Sequence, residues 1–127
     1  MSKIQESGEM YLEDILVLRQ RLGSVRAIDV VKLTGYSKPS ISRALGNLRA
    51  GGMISVDKDG YITLTADGEM RAQKVYERHR VLTEFLDLIG VPNDVADADA
   101  CKIEHDISDV TFVKIKEHLL RMHKDAD

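Results

Sequence analysis

The sequence has one cysteine and no apolar run that approaches the length of a membrane-spanning helix. A single cysteine excludes an intramolecular disulfide framework, and together with five methionines it fits a reducing cytoplasm. A helix needs about 20 apolar residues to cross a bilayer, so we expect no membrane span. The N-terminus, residues 1–6, lacks the apolar core of a secretory signal peptide. These absences predict a cytoplasmic protein.

The composition is that of a folded globular chain. Of 127 residues, 43% are hydrophobic and 31% are charged, which excludes an intrinsically disordered protein. The length allows one domain of ordinary size or two small ones that share a core. No segment rich in Pro, Gly or Ser separates the two halves, so we expect a continuous scaffold without a free hinge.

The net charge of −3 is distributed unevenly. Residues 1–65 carry a net charge of +2, and residues 66–127 carry −5. Residues 30–56 contain no acid and four cations, Lys32, Lys38, Arg43 and Arg49. A local basic patch on an acidic protein can contact phosphates, because such contacts are short-ranged at cellular salt. A solvated basic face without a partner is the alternative interpretation.

The first half of the sequence predicts three helices. Apolar residues recur at helical spacing in residues 9–22, 24–33 and 40–49, and each segment is followed by glycine. Ser37 can cap the third helix, and Pro39 is tolerated in its first turn.

Residues 53–64 predict a β-hairpin, because two short β-branched and aromatic runs flank Asp59-Gly60. Three helices followed by a hairpin are the order of a winged helix-turn-helix. Its third helix would enter the major groove, and the hairpin wing would touch adjacent phosphates. A winged helix used only for protein contacts is the alternative.

The second half predicts three more helices and no strand. They begin near Thr65, Pro92 and Ser108, and the second is expected to extend through Ile107. So much apolar surface on a small helical unit predicts a dimer interface, which suits DNA-reading heads that work in pairs. The predicted fold is therefore mostly α with a small β-hairpin wing. It comprises a winged helix-turn-helix in residues 1–65 and a helical dimerisation domain in residues 66–127.

Three potential metal ligands lie close together in the second half. Cys101, Glu104 and His105 stand at positions i, i+3 and i+4 of the predicted helix, and therefore on one face. Sulfur, oxygen and nitrogen donors together suit a first-row transition metal better than magnesium or calcium. The alternative is that Cys101 is a small buried hydrophobe and that the other two residues are adjacent by chance.

Four other residues could extend this set. Asp97 lies four residues before Cys101, and His79 lies in the long fourth helix. Met10 and Glu13 are three residues apart on the first helix, so both can face the same way. As alternatives, Met10 would be a core filler and His79 a surface histidine.

Two functions other than metal-responsive regulation are compatible with these predicted elements. A winged-helix regulator could respond to a small molecule or partner and not to metal. A hydrolase could use a Cys101 and His105 pair, but the sequence shows no element for an oxyanion hole. We therefore predict that the protein is not an enzyme.

Four segments together resemble one protein family. The segments are Glu9–Ile15, Ser37–Arg43, Arg78–Val91 with its Arg-His-Arg and Leu-Ile-Gly-Val runs, and Cys101–Ser108. Their combination is similar to the iron- and manganese-dependent repressors of the diphtheria toxin repressor and manganese transport regulator family. The similarity covers about residues 9–120.

The resemblance implies a set of metal ligands. By position, Met10, Cys101, Glu104 and His105 correspond to the activating site of the iron-responsive members, and His79 to their ancillary site. The manganese branch has aspartate in place of Met10 and glutamate in place of Cys101. The softer donors of this sequence favour iron(II)-like or promiscuous binding.

The resemblance leaves the ion and the stoichiometry open. Glu13 matches the manganese branch, where it helps to hold a second ion, so we expect Mn(II) or Fe(II), with one or two ions per subunit. The iron branch has a glutamate in place of Thr83 and a histidine in place of Asp97, although Asp97 could still bind through oxygen. The sequence ends before the SH3-like third domain of longer members, so a short form is expected.

The resemblance also implies the DNA contacts. Six residues are expected to approach DNA: Ser37, Lys38, Pro39, Ser40, Arg43 and Arg49. Arg43 is the best candidate for guanine, whereas Lys38 and Arg49 would meet phosphates. The predicted function is a homodimeric repressor of metal-homeostasis genes. It would bind a palindromic operator in double-stranded DNA when a metal corepressor ties the DNA-binding heads to the dimer core.

Overall fold

The protein consists of six helices and a small sheet over the residues described by the structure, a computed structural model that covers residues 6–126 and the side chains of residues 8–124. The elements in chain order are α1 (Glu6–Leu22), β1 (Val25–Arg26), α2 (Ala27–Thr34), α3 (Lys38–Ala50), β2 (Ile54–Val56), β3 (Tyr61–Leu64), α4 (Ala66–Leu88), α5 (Asn93–Ile103) and α6 (Asp109–Ala126). The predicted mostly α fold with a hairpin wing is confirmed. In the N-terminal segment, where no signal peptide is expected, the residues up to Gln5 lie outside the described part of the chain.

The chain divides into two compact units inside α4, between Lys74 and Val75. The first unit contains α1, α2, α3, the sheet and the start of α4, and the second contains the rest of α4 with α5 and α6. The predicted functional division at residue 65 falls before α4 and stays a prediction. None of the described helices is long and apolar enough to span a membrane.

The sheet of the first unit is antiparallel with the strand order β1-β3-β2. The predicted hairpin is present, with Ile54 opposite Leu64. The prediction that a helix starts at Ser24 or Val25 is wrong, because Val25 is paired with Ile62 in β1. The second helix begins only at Ala27, where the backbone N–H of Arg26 donates to the Asp29 carboxylate over 2.9 Å.

Helix α3 follows its sequence signals closely. The Ser37 hydroxyl accepts a hydrogen bond from the Ser40 backbone N–H at 3.3 Å, which satisfies one of the N–H groups that a helix start leaves open. The apolar residues that recur at helical spacing in the third helix are buried, as Ile41, Leu45 and Leu48 of α3. These side chains belong to a core to which α1 contributes Leu12, Ile15 and Leu16.

The start of α4 lies against the loop that follows α3. Thr65 donates its backbone N–H to the Met53 carbonyl over 3.0 Å, and its hydroxyl accepts from the Gly68 N–H over 3.0 Å. A Cβ at Gly68 would lie 1.8 Å from the Met53 carbonyl oxygen. The close approach of two backbone segments therefore requires glycine at position 68.

Gly68→Ala is expected to destabilise the first unit by about 2 kcal/mol or more, because the added methyl group must displace backbone. Gly46→Ala is the matched control, because Gly46 is exposed within α3 with open space around its Cα. It should stabilise the helix by up to about 1 kcal/mol. Urea unfolding of both variants measures the difference, and equal effects would contradict the packing argument.

An ion pair joins α1 to α4 within the first unit. The Arg19 guanidinium donates to both carboxylate oxygens of Glu69, over 2.5 and 2.9 Å, and the Gln73 amide donates to Glu69 over 2.9 Å. The hydrogen bond from Arg19, followed by that from Gln73, lowers the pKa of Glu69 from 4.5 to about 2. The ionised carboxylate is therefore the form that the fold stabilises.

This shift predicts a pH-dependent contribution to stability. Because the folded-state pKa of Glu69 is depressed, its contribution is complete above pH 4.5 and is lost as the pH falls toward 2. Glu69→Gln should cost about 1 kcal/mol near neutral pH, a value reduced for solvent screening of a partly exposed pair. The cost should vanish near pH 2. Chemical denaturation across this range measures it, with Glu117→Gln at an exposed position of α6 as the control. A pH-independent cost would refute the assignment.

The core of the second unit is formed by α4 and α6. Val81, Phe112 and Leu119 are buried, and Ile107 and Ile115 pack against them. Helix α5 buries Ala96 and Ala100. Seven large apolar side chains of this unit are exposed: Leu88, Ile89, Val95, Ile103, Val110, Val113 and Leu120.

Helix α5 ends earlier than predicted. It begins after Pro92, as expected, but ends at Ile103 and does not reach Ile107. Residues 104–108 form a turn, and Ser108 then caps α6 by accepting from the Thr111 N–H over 3.2 Å.

Candidate metal centre and nucleic-acid interface

The turn at residues 104–108 determines where the proposed ligands point. The Glu104 N–H still donates to the Ala100 carbonyl over 2.9 Å, so Glu104 keeps helical spacing from Cys101. The N–H groups of Asp106 and Ile107 instead both donate to Ile103, over 3.0 Å each. His105 therefore follows the last residue of the helix and lies in the turn, and the shared face of Cys101, Glu104 and His105 stays a prediction.

The Glu104 carboxylate lies between two imidazoles. Its Oε2 is 2.9 Å from Nδ1 of His79 on α4, and its Oε1 is 3.3 Å from Nε2 of His105. The Glu104 side chain has no exposed surface, and that of His105 is only 3% exposed. A buried carboxylate is costly unless positive charge or hydrogen bonds compensate it.

This compensation is incomplete within the described part of the chain. Oε1 of Glu104 is buried without a hydrogen-bond partner, because the contact with His105 is an ion-pair distance without hydrogen-bond geometry. Ligand atoms about 2.1 Å from one ion lie roughly 3 Å apart, close to the two nitrogen–oxygen distances of Glu104. The donor types and the unsatisfied oxygen therefore fit a divalent transition metal.

His79 is in contact with two carboxylates. Its Nδ1 faces Glu104, and its Nε2 lies 2.8 Å from Oδ1 of Asp97 on α5. A neutral imidazole carries one N–H and can donate to only one of them. The arrangement thus calls for an added positive charge, either a second proton on His79 or a metal ion on one side of its ring.

Cys101, Met10 and Glu13 are the remaining candidate ligands. Cys101 is a half-buried cysteine in the last turn of α5 and forms no disulfide. Met10 and Glu13 lie one turn apart on α1 in the first unit, where Met10 is half-buried and Glu13 is buried. Their service as ligands stays a prediction.

The candidate DNA-binding surface is the exposed side of α3. All six residues expected to approach DNA are exposed: Ser37, Lys38, Pro39, Ser40, Arg43 and Arg49. The hydroxyls of Ser37 and Ser40 are 2.9 Å apart, so both polar groups are engaged at the helix start. Arg43 lies one turn further along and is exposed.

The sequence reasoning missed an arginine at the wing. Nη2 of Arg26 donates to the Asp59 carbonyl over 2.6 Å, and its guanidinium lies 5.0 Å from the centre of the Tyr61 ring. Nothing in the local pattern indicated this contact, because it depends on the pairing of β1 with β3.

A buried arginine in the second unit was also missed. Arg78 is 7% exposed on α4, and helical periodicity could have found it. It stands at i+3 from Val75 and four residues before Leu82, both of which are buried. The spacing therefore places a cation on the buried stripe of the helix.

The chain is similar to known metal-responsive regulators. Residues 65–127 match the family model described as "Iron dependent repressor, metal binding and dimerisation domain". The transcriptional regulator MntR of Escherichia coli O157:H7 is 35% identical over 102 residues, which cover 80% of this chain and 66% of that protein. The iron-dependent repressor IdeR of Mycobacterium tuberculosis is 28% identical over 110 residues, covering 86% of this chain and 48% of that protein.

Solved structures agree with these matches. A manganese-dependent transcriptional repressor in complex with manganese superposes with a TM-score of 0.80 at 26% identity, over 88% of this chain and 52% of that one. The manganese regulator SloR gives 0.78 at 26% identity, over 88% and 53%. The chain thus spans about half to two thirds of the length of the relatives it matches. With its winged helix-turn-helix and its matched metal-binding domain, it belongs to the family of iron- and manganese-dependent repressors.

Proposed function

We propose that this protein is a DNA-binding transcriptional repressor whose affinity for its operator is raised by a divalent transition metal. The observation that carries the proposal is the buried Glu104 carboxylate, which lies between two imidazoles and leaves one oxygen without a hydrogen bond. The effector would be Mn(II) or Fe(II), acting as corepressor in the control of metal-homeostasis genes.

The proposed ligands fall into two groups. Glu104, His79 and His105 are supported by their mutual contacts in the second unit. Cys101 is supported by its helical spacing from Glu104, and Met10 and Glu13 by the sequence resemblance alone. Carboxylate and imidazole donors accept either ion, whereas the thiol and thioether favour the softer Fe(II). One or two ions per subunit are compatible with this set.

Asp97 has a separate role in this proposal. Metal-bound histidines usually donate their second ring N–H to a carboxylate, which fixes the ring and strengthens the ligand. The 2.8 Å contact between Nε2 of His79 and Asp97 supports this arrangement, and Asp97 is largely exposed. Asp97 would therefore orient His79, in addition to the direct ligation predicted from the sequence.

In the proposed mechanism, metal binding favours DNA binding because the ion restrains the DNA-binding unit. An ion that also binds Met10 or Glu13 restrains α1 of the DNA-binding unit, so operator binding no longer bears the entropy cost of ordering it. An ion that favours the binding-competent state about 100-fold contributes about 2.7 kcal/mol, enough for a genetic switch.

The proposed partners are double-stranded DNA and a second copy of the chain. The matched domain is a dimerisation domain by its description, and the exposed apolar side chains of the second unit supply a surface that a homodimer would bury. Two heads related by a two-fold axis require a palindromic operator. Arg43 would read a base, and Lys38 and Arg49 would contact phosphates.

Glu104→Gln is expected to abolish tight metal binding without harming the fold. Glutamine keeps the shape of the side chain but removes the anionic ligand, and it relieves the burial of a charge. The apparent Mn(II) affinity, measured by electron paramagnetic resonance of the free ion, should fall by at least about 100-fold. The melting temperature of the metal-free protein should stay equal or rise.

Glu117→Gln is the matched control, since Glu117 is exposed and paired only with nearby Lys114 in the described contacts. It should bind Mn(II) as the wild type does. Equal binding by the Glu104 variant would refute the centre. If the wild type binds its DNA equally well with and without a chelator, the effector is a small molecule or partner and not a metal.

Arg43→Ala is expected to weaken specific DNA binding by about 1–3 kcal/mol and leave Mn(II) affinity unchanged. The probe is a duplex selected by the metal-loaded wild type from a random pool, followed by a titration in fluorescence anisotropy. Arg121→Ala removes an exposed cation of α6 as a charge-matched control and should bind like the wild type. Loss of metal and DNA binding together would contradict the division of labour.

A further inference from the structure

Arg78 is bonded to the backbone of the turn that carries the metal centre. Its Nη1 donates to the carbonyl oxygens of Glu104 and Ile107, over 3.2 and 2.7 Å. Its Nη2 donates to the carboxylate of Asp109, the first residue of α6. Its guanidinium also lies 5.3 Å from the centre of the Phe112 ring. One side chain thus holds the end of α5, the turn and the start of α6.

The contacts of Arg78 compensate the partial negative charge of carbonyl groups near the end of α5. The last carbonyl groups of a helix have no partner within the helix and carry partial negative charge. A buried guanidinium supplies several fixed N–H donors to such groups, which no other side chain can do. Arg78 therefore stabilises the early end of α5 after Ile103.

Glu104 is held at two points by consecutive residues of α4. Arg78 binds its backbone carbonyl, and His79 contacts its side-chain carboxylate. The position of the Glu104 backbone determines where its carboxylate can reach, and the bonds from Arg78 to Glu104 and Ile107 oppose a shift of that backbone. The same bonds fix the backbone from which His105 projects.

We propose that Arg78 is a positioning residue of the metal centre, which holds the turn at residues 104–108 so that Glu104 and His105 face His79 before the ion binds. This inference rests on the proposed function. Preorganised ligands bind an ion more tightly because less ordering accompanies binding. Residues that support metal ligands in this way typically change metal affinity by about 10- to 100-fold.

A purely structural role explains these contacts less well. Nε of Arg78 is buried and has no hydrogen-bond partner among the described residues, which is a cost to folding. An apolar side chain would fit the stripe between Val75 and Leu82, but it would leave the Glu104 and Ile107 carbonyls without the bonds from Arg78. The Asp109 side chain is 71% exposed, so loss of Arg78 would leave it in water.

The test compares Arg78→Met and Arg78→Lys with the wild-type chain. Mn(II) affinity is measured by electron paramagnetic resonance, the stability of the metal-free protein by thermal melting, and the order of the turn by amide hydrogen exchange at residues 104–107. We expect Mn(II) affinity to fall about 10-fold or more in Arg78→Met, with faster exchange at the turn. Arg78→Lys should be intermediate, because a point charge replaces the planar fork.

Lys116→Met is the matched control. Lys116 joins α6 to α4 through a 2.6 Å ion pair with Glu77, and the pair does not involve the turn. This variant should keep wild-type Mn(II) affinity and wild-type exchange at residues 104–107.

The outcomes separate this inference from the proposed function. Wild-type Mn(II) affinity in Arg78→Met would overturn the positioning role, whereas a wild type that binds no more Mn(II) than Glu104→Gln would overturn the centre itself. If Arg78→Met does not fold, Arg78→Lys decides. Reduced affinity with an unchanged melting temperature supports the inference, and wild-type affinity overturns it.

Discussion

The second unit is organised around the burial of one carboxylate. Glu104 has no exposed side-chain surface, and an ionised carboxylate in such a place needs positive charge or hydrogen bonds close by. Helix α4 supplies His79 to one oxygen, and the turn supplies His105 near the other. Oε1 of Glu104 has no hydrogen-bond partner among the described residues, and the divalent ion of the proposed function would compensate its charge.

The early end of α5 is part of the same arrangement. A helix that continued to Ile107 would use the Glu104 carbonyl for its own hydrogen bonds, whereas the observed turn leaves that carbonyl to Arg78. The side chain and the backbone of Glu104 then have separate roles. The carboxylate is available for an ion, and the backbone is fixed by α4. Metal affinity and the local stability of the turn are thereby linked, because both depend on the same few bonds.

The parts of the fold that were predictable from the sequence are those set by local signals. The stripe of Ile41, Leu45 and Leu48, the cap at Ser37 and the hairpin at Asp59-Gly60 each follow from a few neighbouring residues. The two-residue strand β1 and the end of α5 depend on partners distant in sequence and have no local signature. The same holds for the centre: the donor types were visible, but the contacts of His79 with Glu104 and Asp97 were not.

The charged residues at the hairpin wing of the DNA-binding unit are also held by specific contacts. The hairpin turn contains Asp57 and Asp59, which would repel phosphates. The Asp57 carboxylate, however, accepts backbone N–H groups from Asp59 and Tyr61 over 2.9 Å each, and the Arg26 guanidinium lies beside the Asp59 carbonyl. The Asp57 carboxylate is thus held by the backbone of its own turn, and the Arg26 guanidinium is bonded to the backbone of the same turn. Exposed cations lie both on α3, at Lys38, Arg43 and Arg49, and in the hairpin turn, at Lys58. In the proposed complex, both elements would therefore attract DNA phosphates.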